Sequence, residues 1–257
     1  MKLKSKLIAA AIALVAASGA NAAIDNGAGG NGELFFNIWD ANGSYTRSLE
    51  TSIDSFQSQL GAVGNLNLSW AADATFTSFM ASVVTPSELK WNVVATDTTG
   101  GRRILETYTA PEATTKKTND VMRTLAAGTQ TFVNDLNTKL ASVDSATYAV
   151  GTVGYAGNNA KFGDKGAGLL NFSNAGTLAN NSYANGLGFM RIDALATGTA
   201  ASQYNEYLEG TTAVNAYLDG TTLHIAAAIP EPSEYALMLA GLGMLGFMAR
   251  RRLNNRV

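Results

Sequence analysis

ELFFNIWDANGSYTRSLE, residues Glu33–Glu50, decides the class of fold. Aromatic and β-branched residues crowd Glu33–Asp40, Ala41-Asn42-Gly43 supplies a turn, and a second run follows from Ser44, so the stretch is expected to form two strands joined by a hairpin. The same grammar recurs outward from it. ELKWNVVATDT and GRRILETYT flank Gly100-Gly101 as another hairpin, and TYAVGTVGY and LGFMRIDAL are strand-like runs set among loops. Tyr207-Leu208-Glu209-Gly210-Thr211-Thr212 returns ten residues later as Tyr217-Leu218-Asp219-Gly220-Thr221-Thr222. Each copy reads as strand, acidic-Gly turn and the start of the next strand, the rhythm of a β-meander, with Thr221 to Ala227 as the final strand. Two copies are too few for a solenoid.

Helical spacing interrupts this pattern in three places. Ile53, Phe56 and Leu60 predict a short helix, and Asp73 is a candidate N-cap for a second one carrying Phe76, Phe79 and Met80. The longest periodic segment runs over about 119–141, capped by Asn119 or Asp120, with Val121, Leu125, Gly128, Phe132, Leu136 and Leu140 forming a stripe that should face a core. The expected fold is therefore mainly β, a β-sandwich with inserted α-helices, over residues 33–229. The Gly- and Asn-rich stretch AIDNGAGGNG, residues 23–32, reads as a flexible entry segment.

Both ends of the chain have a different character. Met1 to Ala22 carries Lys2, Lys4 and Lys6, then an apolar run from Leu7 to Ala17, then Ala20-Asn21-Ala22, the small-x-small pattern that a signal peptidase accepts at Ala20 and Ala22. The run covers about half of the ~20 residues a spanning helix needs, so a cleaved signal peptide is expected over residues 1–22 rather than a permanent anchor. At the other end, Tyr235 to Ala249 is an uncharged apolar run followed at once by Arg250, Arg251 and Arg252. It is expected to be a single transmembrane helix, short for a ~30 Å hydrocarbon core, with the arginines holding the C-terminus in the cytoplasm. Pro230 and Pro232 keep the chain before it extended, since proline lacks an amide donor and pushes its predecessor from helical angles. That leaves the segment accessible to a membrane-embedded protease; the lesser alternative from this physics alone is that the prolines punctuate a linker before an ordinary anchor.

The order Pro230-Glu231-Pro232, short apolar helix and arginine cluster resembles the PEP-CTERM protein-sorting signal of Gram-negative bacteria. The resemblance covers residues 230–257, about a tenth of the chain, and carries no activity over to the rest. It implies recognition by an exosortase, a membrane cysteine protease that cuts near Pro-Glu-Pro. The expected route is export, a transient stay in the inner membrane and delivery to the cell surface or the extracellular polysaccharide of a biofilm matrix.

Composition narrows the middle region. Of the 18 Lys+Arg, three lie in the first segment and four in the tail, against two of the 20 Asp+Glu, which leaves the body near −7. That balance offers no basic patch for nucleic acid. The absence of cysteine excludes disulfides and zinc-thiolate sites, so the exported domain must rely on its core.

No residue pattern assigns catalysis, a cofactor or a metal. His224, the only histidine, alternates with Leu223 and Ile225 in TTLHIAA and reads as one position on a strand face; no Gly-x-Ser-x-Gly elbow accompanies it. Asp40-Ala41-Asn42-Gly43-Ser44 has oxygen ligands at alternating positions, but an EF-hand needs Gly at its sixth position and Glu at its twelfth, which here is Thr51. Gly163-Asp164-Lys165-Gly166 lacks the Gly-Lys-Ser/Thr ending of a phosphate loop. Trp39, Trp70 and Trp91 are either core residues or a platform for sugar rings. The expectation is thus a non-enzymatic surface or matrix protein, with a carbohydrate-binding or adhesion module as the alternative.

Overall fold

The computed structural model describes residues 23–60, 66–100, 102–109, 117–157 and 174–227. In chain order it contains β1 (Glu33–Trp39), β2 (Gly43–Ser52), α1 (Ile53–Leu60), β3 (Asn67–Trp70), α2 (Ala74–Ser82), β4 (Lys90–Thr96), β5 (Arg103–Tyr108), α3 (Asn119–Leu140), β6 (Ser145–Ala149), β7 (Leu187–Asp193), β8 (Gln203–Glu206), β9 (Leu208–Glu209), β10 (Thr212–Asp219) and β11 (Thr222–Ala227). The expected signal peptide (1–22), Pro230-Glu231-Pro232, the apolar run 235–249 and Arg250–Arg252 lie outside the described residues. Among the described residues, no helix is long and apolar enough to cross a membrane.

The strands form one antiparallel sheet in the order β3-β11-β10-β7-β5-β4-β1-β2-β6, with β8 beside β7 and β9 beside β10. This corrects the expected two-sheet sandwich. In a sandwich one side of each strand is solvated, so strands alternate. Here β1 and β4 each end in six consecutive buried residues and β5 in five. The sheet is covered on both sides: it curls until its ends approach one another around one face, and α3 lies across the other.

The curled-in face collects Leu34, Phe36, Ile38, Tyr45, Trp91, Phe189, Leu218 and Ile225, with Ile53 and Phe56 from α1 and Phe76 and Phe79 from α2. Aromatic rings interlock there: Tyr45–Phe76 at 5.0 Å, Phe56–Phe189 at 5.1 Å and Phe56–Tyr207 at 5.2 Å between centroids. On the opposite face α3 packs Phe132, Val133, Leu136 and Leu140 against Phe35 and Trp39, and Met122, Leu125 and Ala126 against Ile104, Met190 and Ile192.

The helices occur where their periodicity places them, with two adjustments. The α3 cap is Thr118, whose hydroxyl accepts from the Val121 amide, rather than Asn119 or Asp120. The buried stripe of α3 holds Met122 and Thr129 in place of Val121 and Gly128. Asp73 caps α2 by accepting from the Phe76 amide at 2.7 Å.

The first hairpin forms, but its turn is not built on Asn-Gly. Neither Asn42 nor Gly43 takes a positive φ; instead Asp40 Oδ1 accepts from the amides of Asn42 (2.8 Å) and Gly43 (3.0 Å). Near its far end β2 bulges between the pairs Phe35↔Ser48 and Glu33↔Ser52, with Glu50 at φ 50°. The Glu33 carboxylate holds this bulge, accepting from the Glu50 amide at 2.8 Å and from the Ser48 hydroxyl.

Residues 23–32 are docked rather than loose. The Ile24 amide donates to Asn137 Oδ1 at 2.9 Å, and Asn137 Nδ2 returns a bond to the Ile24 carbonyl at 2.8 Å, so the segment is pinned to α3. Glycine serves close approach here: a Cβ on Gly27, at φ 71°, would lie 1.9 Å from the Thr96 carbonyl oxygen.

Candidate functional site

The three tryptophans do not share an exposed face. Trp91 is fully buried (0 %) among the curled-in residues, and its indole donates to the Thr177 carbonyl at 2.8 Å. Trp39 is 4 % exposed and packs on the opposite side of the sheet, under α3. Of the two readings the sequence offers, core burial is the one that Trp39 and Trp91 take, because β1 and β4 are central strands buried on both sides.

Trp70 remains, half-buried, at the seam where the ends of the sheet meet. Its indole donates to the Leu49 carbonyl at 3.2 Å, linking β3 to β2. Beside it Arg47 Nη1 donates to the Ala71 carbonyl at 2.6 Å, and the Tyr45 hydroxyl donates to Asp73 Oδ2 at 2.7 Å. Burial alone would raise the Asp73 carboxyl, but the Phe76 amide, the Tyr45 hydroxyl and the Arg47 charge outweigh it and hold Asp73 below its ordinary value. Arg47 Nε is buried with no hydrogen-bond partner among the described residues. The cavity lined by Tyr45, Arg47, Trp70, Phe76, Leu218 and Leu223 has a volume of about 10 Å³. That admits about one water-sized group, such as a hydroxyl, and not a sugar ring.

His224 stands on the outer side of β11, stacked on its cross-strand neighbour Tyr217 with ring centroids 4.8 Å apart and planes at 11°. Burial lowers its pKa while the Asp219 charge opposes that shift. The register also sets Ser69 directly across from His224. Nucleophile and base need hydrogen-bond reach, about 2.6–3.2 Å, and these two described side chains share no hydrogen bond. Among the described residues no group of three or more acidic, His or Cys side chains is placed to hold a metal ion. Asp40 spends Oδ1 on the hairpin turn and Oδ2 on the Asn42 amide group.

A buried polar row crosses the sheet beneath α3, and the sequence reading passed over it. The Thr46 hydroxyl donates to Asn37 Oδ1 at 2.7 Å, and Asn37 Nδ2 donates to Asn92 Oδ1 at 3.0 Å. Farther along, Asn174 Nδ2 donates to Glu106 Oε2 at 3.5 Å. The signal was present: Asn37, Asn92 and Glu106 each interrupt an apolar strand, in LFFNIW, KWNVVA and RILETY.

The row ends at a fork. β4 and β5 pair only through Val94↔Glu106, Ala95↔Leu105 and Thr96↔Ile104. Beyond these the strands part and residues 174–177 enter: Trp91 and Gly176 exchange backbone bonds at 3.0 and 2.7 Å, and the Thr107 hydroxyl donates to the Asn174 carbonyl at 2.8 Å. Burial pushes the Glu106 carboxyl up to about 8, with Asn174 opposing the shift. Among the described residues, three polar atoms here have no hydrogen-bond partner: Asn92 Nδ2, Glu106 Oε1 and Asn174 Oδ1.

Comparison with known proteins adds one finding, at the tail. The family model of the PEP-CTERM protein-sorting motif matches residues 228–252. The match contains Pro230-Glu231-Pro232, the apolar run and Arg250–Arg252, and such a motif implies export and processing by an exosortase. No curated protein and no solved structure matches the chain.

Proposed function

We propose that this chain, whose C-terminal PEP-CTERM motif marks it for exosortase sorting, is a non-enzymatic component of the cell surface or of the extracellular polysaccharide matrix. It is exported by its signal peptide, held briefly in the inner membrane by residues 235–249, and released when the exosortase cuts near Pro230-Glu231-Pro232.

What supports this reading is the junction between domain and motif. β11 ends at Ala227, and the motif match begins at residue 228. β11 is hydrogen-bonded on both sides, to β10 and to β3, and the Ala227 amide donates to the Leu66 carbonyl at 3.0 Å. A cut at the prolines therefore removes none of the described strands, and β11 leaves with the domain. Carbohydrate adhesion lacks comparable support, because Trp39 and Trp91 are core residues and the seam beside Trp70 has room for one hydroxyl-sized group.

The test is fractionation of cells with and without the exosortase, with the mass of the recovered C-terminus measured. The expected outcome is an external form lacking Arg250, Arg251 and Arg252 in normal cells, and a full tail retained in the inner membrane when the protease is missing. A full-length chain in the inner membrane of both strains refutes the reading.

A further inference from the structure

The fork between β4 and β5 has a chemical oddity. Glu106 is 1 % exposed and Asn174 2 %, so neither faces bulk solvent, yet among the described residues Glu106 Oε1 and Asn174 Oδ1 are both without a partner while their sister atoms bond one another. An ionised carboxylate is an acceptor only, and so is an amide oxygen; two acceptors cannot satisfy each other. One proton removes the conflict.

We propose that Glu106 is a neutral carboxylic acid in the folded protein and forms a two-point acid–amide clasp with Asn174. Asn174 Nδ2 donates to Glu106 Oε2, and Glu106, protonated on Oε1, donates to Asn174 Oδ1. The clasp locks residues 174–177 into the fork, where Gly176 and Thr177 bond the backbone and indole of Trp91.

The surroundings favour the neutral acid. From α3 come Met122, Leu125 and Ala126; from β4, Asn92 and Val94; from β7, Met190 opposite Glu106 in the register. Among the described residues, the titratable groups that share this face of the sheet include Tyr108 of β5 and Tyr204 and Glu206 of β8. The Tyr108 hydroxyl donates to Glu206, and the Tyr204 hydroxyl accepts from the Lys117 amide at 3.1 Å. Burial raises the Tyr204 hydroxyl, and the Glu106 charge adds to that rise, so ionising Glu106 would place a negative charge near a group already resistant to one. Asp97, at the far end of the hairpin, is occupied by Arg103 at 2.6 Å.

The sign of the pH dependence follows. Because the folded-state pKa of Glu106 lies above the ordinary carboxyl value, at about 8, the folded chain binds the proton more tightly than the unfolded chain. The clasp's contribution is full at pH below the ordinary carboxyl value and is lost as pH rises through about 8.

Infrared difference spectra of the full-length chain in detergent, wild type minus Glu106→Gln, test this directly at about pH 6, above the ordinary carboxyl range. A protonated-carboxyl band is expected. A carboxylate band alone overturns the proposal, including the case in which a trapped water bridges an ionised Glu106 to Asn174. Urea unfolding supplies the second readout. Gln keeps two-point pairing with Asn174 at every pH, so Glu106→Gln should lose up to about tenfold per pH unit less in folding constant than wild type between the two pKa values. Equal slopes overturn the clasp. Should the variant fail to fold, the carboxyl ¹³C titration of labelled wild type decides: a midpoint in the ordinary glutamate range refutes it.

Discussion

The two faces of the sheet are equally dry and are held by different physics. The curled-in face is closed by rings: Phe36 lies 6.3 Å from Tyr45, 6.2 Å from Phe76 and 6.1 Å from Trp91, and the sheet ends are tied together at the rim by Trp70, Arg47 and Tyr45. The α3 face mixes apolar contacts with a chain of buried polar groups from Thr46 through Asn37 to Asn92, and with the acid at Glu106. Apolar packing is non-directional and tolerates small shifts, whereas each buried polar atom requires a particular partner. The first face therefore governs how stable the domain is. The second governs which register and which loop position the sheet accepts.

The largest effect should come from removing a ring on the curled-in side. Phe36→Ala deletes a side chain that is 4 % exposed and touches three other rings, and it should cost about 3–5 kcal/mol. Urea unfolding measures it. A loss of under about 1 kcal/mol would mean that the aromatic cluster is not the main support.

The polar row gives a smaller and more specific effect. Asn37→Ala leaves the Thr46 hydroxyl and Asn92 Oδ1 buried without partners, for about 1–3 kcal/mol. The loss should exceed that from any solvent-facing Asn→Ala, which is usually within about 0.5 kcal/mol. Equal losses would remove the distinction between the faces.

Much of this was legible before any coordinates. The strands β1, β2, β4, β5, β7 and β10–β11 lie where aromatic and β-branched runs and acidic-Gly turns place them, and Gly210 and Gly220 take the positive φ those turns need, 64° and 59°. The phase of α3 slipped by one residue at Val121 and Gly128, because a 3.6-residue period over a 22-residue helix lets neighbouring positions compete for the same face. Pairing order was not legible. β3 joins β11, and β7 sits between β5 and β10, through contacts far apart in the sequence that no local pattern encodes. That order is what buries Trp39 and Trp91, which is why the sequence alone left core and platform readings of the tryptophans open. Asn37, Asn92 and Glu106 were visible as polar breaks in apolar strands, but their mutual approach depends on register. The sorting tail was readable because its meaning lies in linear order, which requires no fold.

The smallest effects come from the helix caps, and they separate the faces once more. Asp73 caps α2 on the curled-in side with a 2.7 Å bond to the Phe76 amide and also accepts from the Tyr45 hydroxyl at 2.7 Å. Thr118 caps α3 with a longer bond of 3.4 Å, while the same turn is held independently by Asn119 amide to Ala200 carbonyl at 2.8 Å and Ser202 amide to Lys117 carbonyl at 2.9 Å. Losing a cap costs about 0.5–2 kcal/mol. Asp73→Ala should fall near the upper end, since it also strands a tyrosine hydroxyl, and Thr118→Ala near the lower end, since the backbone bridge survives. Below the ordinary carboxyl range the two variants should draw together: Asp73 has a depressed pKa, so its contribution is full above the usual aspartate value and fades as the carboxyl is protonated. Unfolding at neutral pH and again near pH 3 measures both. A Thr118→Ala loss as large as that of Asp73→Ala at neutral pH would show that α3 depends on its first turn as strongly as the seam depends on α2.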